Sequence, residues 1–291
     1  MNNSNILFLY DAKLSNPNGD PDEENRPRMD TERDINLVTD VRLKRYVRDY
    51  MLSHGKNIYV RQINDLPVQP GDVIKVDKVT NECEALKEYS DVRMFGATMA
   101  IAKNTITVTG PVQFNWGFSL NKVELIEAGI TSHFKSSATA TQSTMGRDYR
   151  VKYSFIAFSG AISGKRAEKT TLSEDDVKFL DTAMVHAIPE QFTRSKIGQT
   201  PRLYIRVEYN DNETYSGDLR DYVKIEKQED LSDIKDVELN VSNLAKFLEE
   251  YKNKISKIYY YVDENLQIYN NNQKLNNIKD VFESIPSELI K

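Results

Sequence analysis

The sequence predicts an α+β protein, and three observations lead to this class. Apolar residues run together over Ile6–Tyr10, which is typical of a buried strand. A helical period follows Thr39, and a second one follows Ser173. Apolar residues then alternate with polar ones near residues 151 and 203. The resulting order of strand, helix, strands, helix and strand is that of ferredoxin-like or RRM domains, here with long insertions.

The two helices have recognisable starts and ends. Thr39 is a cap candidate for the first helix, whose core face falls at i, i+3, i+4 and i+7, and Gly55 marks its end. The residues of that face are Leu43, Tyr46, Val47 and Tyr50. Ser173 and Asp176 form a capping-box pattern for the second helix, and Pro189 stops it.

The strongest strand signal lies at residues 106–120, where apolar and small polar residues alternate. Gly110-Pro111 is expected to interrupt or bend this segment. Phe114, Trp116 and Phe118 share its apolar face, so core packing is favoured over base stacking. Base stacking is further disfavoured because the K/R-G-F/Y-G/A-F-V-x-F/Y motif of ordinary RRM domains is absent.

The remaining segments are predicted as follows. Ile58 and Val60 indicate a short strand, and residues 64–105 an insertion with a strand over 72–79 and a helix over 91–103. Residues 130–150 are rich in Ser, Thr and Ala without a period, which predicts a long flexible loop. After residue 210 the chain is acidic and contains an amphipathic helix over 244–258. We expect one domain over residues 1–291.

Composition excludes several classes of protein. No run approaches the ~18 apolar residues of a membrane span, and the first residues lack the pattern of a signal peptide, so a cytoplasmic protein without membrane partners is expected. Cys83 is the only cysteine, which rules out an intrachain disulfide. The three histidines lack ligand spacing, and we expect neither a metal site nor a cofactor.

Charge is distributed unevenly along the chain. The net charge is −5, but residues 208–291 hold 18 acidic and 11 basic residues. The preceding 207 residues therefore carry a net charge of +2, and residues 130–170 alone carry +5. Local distribution matters more than the total for nucleic-acid binding, so a polyanionic partner is compatible with this sequence. Ordinary variation along a charged surface is the competing explanation.

Loop 13–37 and the helix after it carry the candidate phosphate ligands. Loops beyond ~12–15 residues are usually functional or disordered. Asn16, Asn18 and Gly19 either bend the loop so that its amides face phosphates or form a structural turn only. Cationic side chains follow, either as phosphate ligands or as a solvated helix face: Arg26, Arg28, Arg42, Lys44, Arg45 and Arg48.

Several of these segments resemble a known family. The matching segments are NPNGDPD and NRPRMD in the loop, VTDVRLKRYVRDY in the helix, GPVQFNWGFSL at 110–120 and TMGRDYRVKYS at 144–154. Together they are similar to the backbone subunit of type I CRISPR interference complexes (the Cas seven family), nearest its subtype I-B branch. The resemblance covers much of residues 5–210.

The resemblance implies an architecture and a function. The palm would be an RRM-like sheet of the RAMP type, with a finger-like insertion at 64–105, a thumb-like loop at 130–150 and an acidic C-terminal extension at 210–291 packed on the palm. The protein would polymerise without catalysis along guide (crRNA) RNA in a Cascade complex, with copies of itself, other subunits and a target DNA strand as partners. The thumb and the 106–120 segment would add RNA contacts: Gln113, Asn115, Phe134, Lys135, Met145, Gly146 and Arg147.

Two other functions remain open at this stage. Asp20, Asp22 and Asp30 lie near the basic loop, and paired carboxylates hold Mg²⁺ in nucleases, so a metal-dependent endoribonuclease like the type III relatives is the alternative. We expect no enzyme, because Asp-Pro turns and charge balance account for these residues. An RNA-binding protein that acts alone is a third possibility.

Overall fold

The computed structural model describes residues 1–101, 104–135 and 143–291. The α-helices of these residues are α1 Asp40–Ser53, α2 Pro70–Asp77, α3 Glu82–Glu88, α4 Ser90–Phe95, α5 Gly164–Thr170, α6 Glu174–His186 and α7 Ser242–Tyr251. Short 3-10 helices lie at Pro21–Glu23, Leu219–Tyr222, Ile234–Asp236, Lys252–Lys254 and Ile278–Val281.

The strands of the same residues, in chain order, are β1 Ser4–Ser15, β2 Gly19–Asp20, β3 Arg26–Pro27, β4 Met29–Asp30, β5 Ile35–Val38, β6 Gly96–Ile101, β7 Asn104–Thr109, β8 Val112–Phe114, β9 Gly117–Ser119, β10 Leu125–Lys135, β11 Ser143–Ile162, β12 Gln199–Tyr209, β13 Lys224–Ile225, β14 Glu238–Asn240, β15 Ile255–Val262, β16 Gln267–Asn270, β17 Gln273–Lys274 and β18 Ser287–Leu289. Most of them join one large sheet with the order β18-β15-β12-β1-β11-β9-β5-β4, and β8 and β10 also pair with β11. The chain is thus a mixed α/β protein organised around a large central sheet.

Strand β1 lies at the centre of this sheet, antiparallel to both β11 and β12. Its residues Ile6–Tyr10 are all completely buried. An uninterrupted apolar run suits this position, because a strand covered on both faces has no solvent side that needs polar residues. The predicted order of strand, helix, strands, helix and strand is present as β1, α1, β9, β11, α6 and β12.

The two faces of the central sheet are covered by different parts of the chain. Ile6, Phe8 and Tyr10 pack in one core with residues of α1 and α6. Leu7 and Leu9 point the opposite way and pack in a second core with residues 219–285. The C-terminal segment, including α7, therefore covers the sheet face that α1 and α6 leave free, and it also extends the sheet through β15, which pairs with β12.

Helix α1 forms as its sequence predicts. Thr39 accepts a hydrogen bond from the Arg42 amide, Asp40 lies in the first turn, and Gly55 follows the last turn with φ +71°. The four predicted core residues are buried. The capping box of Ser173 and Asp176 at the start of α6 is also confirmed.

The insertion has a small core of its own, and two predictions within it are wrong. Residues 72–79 were expected to form a strand, but Pro70 begins helix α2 there, and Val73 and Ile74 face the small core. A proline at the first helical position is favourable, and this outweighs the β-branched residues behind it. The helix expected over 91–103 ends at Phe95, because Gly96 adopts φ +81° and β6 begins. Residues 58–60 also form no strand.

The predicted strand at 106–120 is divided into three. Gly110-Pro111 separates β7 from β8, as predicted, and Asn115-Trp116 separates β8 from β9. The second break overturns the prediction for Trp116, which is 48% exposed, whereas Phe114 is 8% exposed. The alternation does not continue through this break, so Trp116 leaves the apolar face.

Two further predictions are wrong because tertiary pairing outweighs the local pattern. Residues 130–135 and 143–150, expected in a flexible loop, belong to β10 and β11, which pair as a long antiparallel hairpin. The helix expected over 244–258 ends at Tyr251, and Ile255 and Ile258 lie in β15. Among the described helices, none has the length and apolar character that a membrane crossing requires.

Candidate nucleic-acid interface

The loop after β1 is tied to the start of α1 by its asparagines. The Asn18 Oδ1 accepts hydrogen bonds from the amide and the hydroxyl of Thr39, at 2.8 and 2.9 Å. The Asn16 Nδ2 donates to the carbonyl of Asn25 at 2.7 Å. Gly19 pairs with Pro27, and a Cβ at this glycine would lie 2.0 Å from the Asn25 side chain. Asn18 therefore fixes the loop relative to the helix, while Asn16 and Gly19 fix the internal shape of the loop.

Two of the basic residues predicted on α1 are buried within the protein. The Lys44 Nζ donates hydrogen bonds to the Asp40 carboxylate at 3.0 Å and to the Gln113 Oε1 at 2.9 Å. The Arg48 Nε donates to Asp91 at 2.8 Å, and that carboxylate is 1% exposed and also accepts from the Tyr59 amide. Buried, hydrogen-bonded pairs of this kind hold neighbouring elements together, here α1 and the insertion.

The other two cations of α1 lie nearer the surface. Arg45 bonds Asp49 and the carbonyl of Val60, so it too has protein partners. The guanidinium of Arg42 stacks on the ring of Tyr46 at 4.0 Å from its centroid. In contrast to its neighbours on the helix, Arg42 forms no ion pair with any carboxylate of the described residues.

The two amides predicted on the 106–120 segment have local roles. Gln113 donates to the carbonyls of Phe95 and Gly110, at 3.2 and 3.1 Å, and accepts from Lys44. Asn115 accepts from the Trp116 amide at 2.8 Å within the break between β8 and β9, and its side chain is exposed. Of the two, Asn115 is the more accessible to a ligand.

The root of the β10–β11 hairpin brings together cations from separate parts of the chain. Arg26 and Arg147 both approach Glu127, at 3.9 and 3.4 Å, and Arg26 also stacks on the Tyr149 ring. Arg147 donates a hydrogen bond to the Tyr149 hydroxyl, and this contact raises the pKa of Arg147. The same hydroxyl donates a hydrogen bond to Glu24. Arg28 lies one strand away and bonds Asp20 at 2.6 Å.

The sequence patterns do not predict a further set of charged residues at this root. Arg194 approaches Asp148 at 3.4 Å, and Arg150 bonds both Asp148 and the carbonyl of Leu14. The basic run TRSKIGQTPR at 193–202 is the signal that would have found Arg194 and Lys196. Of the predicted thumb residues, Gly146 pairs with Ile130 in the hairpin, while the side chains of Phe134, Lys135 and Met145 lie outside the described part of the chain.

An exposed apolar group adjoins these cations. The hydrogen bonds from Lys13 to Gly198 and from Asn16 to Ser195 continue the pairing of β1 with β12 and place Leu14 opposite Ile197. Leu14 is 50% exposed and Ile197 61%, and Phe192, in the same segment before β12, is 83% exposed. Leu14 also has φ +48°, which is unusual for a leucine and is a recognised sign of a functional position.

The carboxylates considered for metal binding are used within the loop. Asp20 accepts from the Asp22 amide and from Arg28, and Asp30 accepts from the amides of Glu32 and Arg33. Among the described residues, no three His, Cys, Asp or Glu side chains converge closely enough to hold a metal ion. The loop is thus arranged around turn and ion-pair contacts.

Comparison with known proteins identifies the family. The family model described as "CRISPR-associated protein Cas7" matches residues 2–242. A curated relative of the same description from Haloferax volcanii is 35% identical over 302 residues, covering 92% of this chain and 89% of the relative.

Solved structures share the fold. Chains of two structures, titled "CRISPR RNA-guided surveillance complex, pre-nicking" and "CRISPR RNA-guided surveillance complex", each superpose with a TM-score of 0.51. They are 11% and 14% identical and cover 92% and 98% of this chain, and 96% and 94% of their own. From the family model and the Haloferax relative, this chain belongs to the Cas7 family of CRISPR-associated proteins.

Proposed function

We propose that the chain is the crRNA-binding backbone subunit of a type I CRISPR interference (Cascade) complex and acts there without catalysis. The observation that carries this proposal is the meeting of Arg26 and Arg147, from two distant segments, on one face of the hairpin root, with Arg194 bound to Asp148 on the other face. A single strand of RNA needs cations arranged along a path, because its phosphates supply most of the affinity. Arg28 and Arg42 extend this path toward α1.

The ion pairs of this root are of the kind that a phosphate can replace. Their distances are 3.4–3.9 Å, and the three arginines are 44%, 60% and 62% exposed. Exposed pairs of such geometry contribute about 0–1 kcal/mol, so exchanging a carboxylate for a phosphate costs little. The carboxylates keep the arginines oriented until RNA binds.

The covered sheet supports RNA binding that is independent of sequence. An ordinary RRM domain stacks bases on the sheet face that its helices leave free. Here residues 219–285 pack against that face, around Leu7 and Leu9. RNA is therefore held at the loops and the hairpin root, where backbone contacts fix its position without reading its bases. A guide of any sequence is accepted.

The apolar group of Leu14, Phe192 and Ile197 provides a surface for bases beside the phosphate path. Apolar and aromatic side chains stack or wedge against bases without reading their edges. The contacts predicted for Phe134 and Met145 belong to the hairpin, which would reach over RNA held partly by a neighbouring copy. Gly146 and Lys135 belong to the same hairpin and act with it.

Some predicted site residues take supporting roles in this proposal. Asn16, Asn18 and Gly19 position the loop, and Lys44, Arg48 and Gln113 fix α1 against β8 and the insertion. Asn115 and Arg45 lie at the surface and contribute secondary contacts. The phosphate ligands proper are the arginines listed above.

We assign the architecture in the same terms. The adjacent strands β12, β1, β11 and β9, with α1 and α6, form an RRM-like palm of the RAMP type within one domain of 291 residues. The finger-like insertion spans 64–105, the thumb is the hairpin around 130–150, and residues 210–291 form the acidic extension on the palm. The subtype I-B assignment rests on the motif segments of the sequence.

The partners follow from this role. Copies of the chain polymerise head to tail along the crRNA, other Cascade subunits cap the array, and the exposed guide pairs with a target DNA strand. No cofactor or membrane takes part, and the complex works in the cytoplasm. The endoribonuclease alternative is not favoured, because Asp20 and Asp30 are committed to turns and ion pairs.

The proposal is tested by purifying the chain from its native host and sequencing the nucleic acid that comes with it. We expect repeat-derived RNAs of uniform length, each bound by many copies of the protein. Cellular RNA of random length, or Mg²⁺-dependent cleavage that disappears in Asp20→Ala, would contradict it.

A further inference from the structure

Two cations are held side by side where loop 16–17 meets α1, without a carboxylate between them. The Lys196 Nζ donates to the carbonyls of Asn16 and Pro17, at 2.5 and 3.2 Å. The Tyr46 hydroxyl lies 3.4 Å from the same Pro17 carbonyl, and the Arg42 guanidinium stacks on the Tyr46 ring. Neither cation takes part in an ion pair within the described residues, although both are partly buried.

The surroundings of Lys196 make its charge costly. Burial, together with the positive charge of Arg42, lowers the pKa of Lys196 to about 7. Its ammonium lies near Arg42 from α1 and donates to two carbonyls of loop 16–17. The Gln199 side chain at the start of β12 accepts from the Tyr46 hydroxyl at 3.0 Å and donates to the Lys196 backbone carbonyl at 3.1 Å. Burial raises the pKa of Tyr46, so this phenol stays neutral near pH 7.

A partly buried lysine that has carbonyl partners but no carboxylate is less favourable for folding than one paired with an anion. Folded-state pKa values below the usual range of lysine mean that the folded chain binds fewer protons than the unfolded one. Stability then rises as the pH increases from 7 toward 10. A residue that is unfavourable for folding and is aimed at carbonyls beside a second free cation is typical of a binding site.

We propose that Arg42 and Lys196 form a seat for one phosphodiester group of the RNA, and that Lys196 takes up a proton from solvent when the phosphate enters. This rests on the proposed function and deepens it by adding a phosphate ligand from the 193–198 segment. Arg42 lies on α1 and Lys196 lies three residues before β12, so the phosphate would bridge α1 and the start of β12.

The proposal fixes the sign of the pH dependence. The bound phosphate raises the pKa of Lys196 above its value in the free protein, so the complex holds more protons than its parts. The contribution of Lys196 is complete below about pH 7 and is lost as the pH rises toward the pKa of the bound state. Wild-type affinity for RNA should therefore fall between pH 7 and 9.

The test measures binding of a fluorescent oligocytidine to the full chain at constant ionic strength from pH 6 to 9. Lys196→Met should weaken binding about tenfold at pH 6 and converge with wild type at pH 9. Lys196→Arg keeps a permanent charge, so it should bind without the pH dependence of wild type. Lys257→Met, at a partly buried lysine of β15 that pairs with Glu288, is the matched control and should behave like wild type.

Two further readouts separate a binding role from a structural one. Calorimetry of wild type in buffers of different ionisation enthalpy should show proton uptake near pH 7.5, and Lys196→Arg should not. Thermal unfolding of Lys196→Met at pH 6 should occur at the wild-type temperature or above it, because an unfavourable buried charge is removed.

The outcomes distinguish the seat from the function. If wild type fails to bind oligocytidine, the proposed function is wrong. If wild type binds with the expected salt dependence but Lys196→Met is no weaker, or Lys196→Arg shows the wild-type pH profile, the seat alone is wrong. If Lys196→Met unfolds below the wild-type temperature, its weaker binding no longer tests the seat. The pH profile of Lys196→Arg then decides alone whether the seat exists.

Discussion

Helix α1 and the root of the β10–β11 hairpin both carry several cations, but the structure uses them differently. The side chains of Lys44 and Arg48 on α1 are both 11% exposed, and their partners lie at 3.0 and 2.8 Å. Arg26 and Arg147 at the hairpin root are 44% and 60% exposed, with partners at 3.4–3.9 Å. Burial and pair geometry, rather than residue type, separate a cation that holds the fold from one that is free to bind.

The largest effect should come from Arg48. Arg48→Met leaves Asp91 buried without its cation, and breaking a buried pair in this way costs about 3–5 kcal/mol. Chemical denaturation should show this loss in the free energy of unfolding. Arg45→Met, which removes a partly exposed pair on the same helix, should cost less than about 1 kcal/mol. Equal losses of unfolding free energy for the two variants would contradict the distinction between buried and exposed cations.

The next effect concerns binding rather than folding. The triple variant Arg26→Ala, Arg147→Ala, Arg194→Ala should weaken RNA binding at least about hundredfold, because charge-assisted hydrogen bonds contribute roughly 1.5–3 kcal/mol each. Its unfolding free energy should change by about 0.5 kcal/mol per site or less, since these side chains are exposed. Fluorescence anisotropy and denaturation measure the two quantities. A destabilised variant that binds normally would mean that these arginines are structural.

Phe192→Ala should have a smaller effect on the same binding curve. Loss of one stacking side chain costs about 1–3 kcal/mol, and the 83% exposed side chain has little to contribute to folding. A guide with an abasic site opposite Phe192 should bind wild type and variant equally. Phe247→Ala, at a residue 2% exposed in the C-terminal core, is the contrasting case and should mainly lower stability. Unchanged affinity of Phe192→Ala for intact RNA would exclude stacking there.

The smallest effect on a single subunit is expected at the hairpin end. Lys135 pairs with Ser143, so replacing residues 136–142 by Asn-Gly closes the hairpin with a two-residue turn. Folding, and binding to an RNA that spans one subunit, should stay within twofold of wild type. Loading of several copies on a long guide should be lost, which native mass spectrometry detects. Complete arrays from this variant would show that the hairpin end has no role in assembly.

The same comparison shows what the sequence predicts well. Thr39, Leu43 and Tyr46 act within one helix, and the buried run Ile6–Tyr10 lies within one strand, so their roles follow from neighbours along the chain. These features depend on local chemistry, which a sequence displays directly.

The failures have a common cause in contacts between distant segments. Arg48 reads as a surface arginine until Asp91, 43 residues away, is seen to pair with it. Residues 130–135 read as a loop until pairing with β11 makes them a strand. The role proposed for Lys196 depends on loop 16–17 and α1, which are distant in sequence and adjacent to it in the fold.

The central claim is that the chain holds RNA through its phosphates without reading its bases. The most direct measurement is the affinity of wild type for two unstructured RNAs of equal length and unrelated sequence, across a range of salt concentrations. We predict equal affinities, with log affinity falling against log salt by ~0.7 per phosphate contacted. A salt-independent affinity, or a preference above about tenfold for one sequence, would contradict the account.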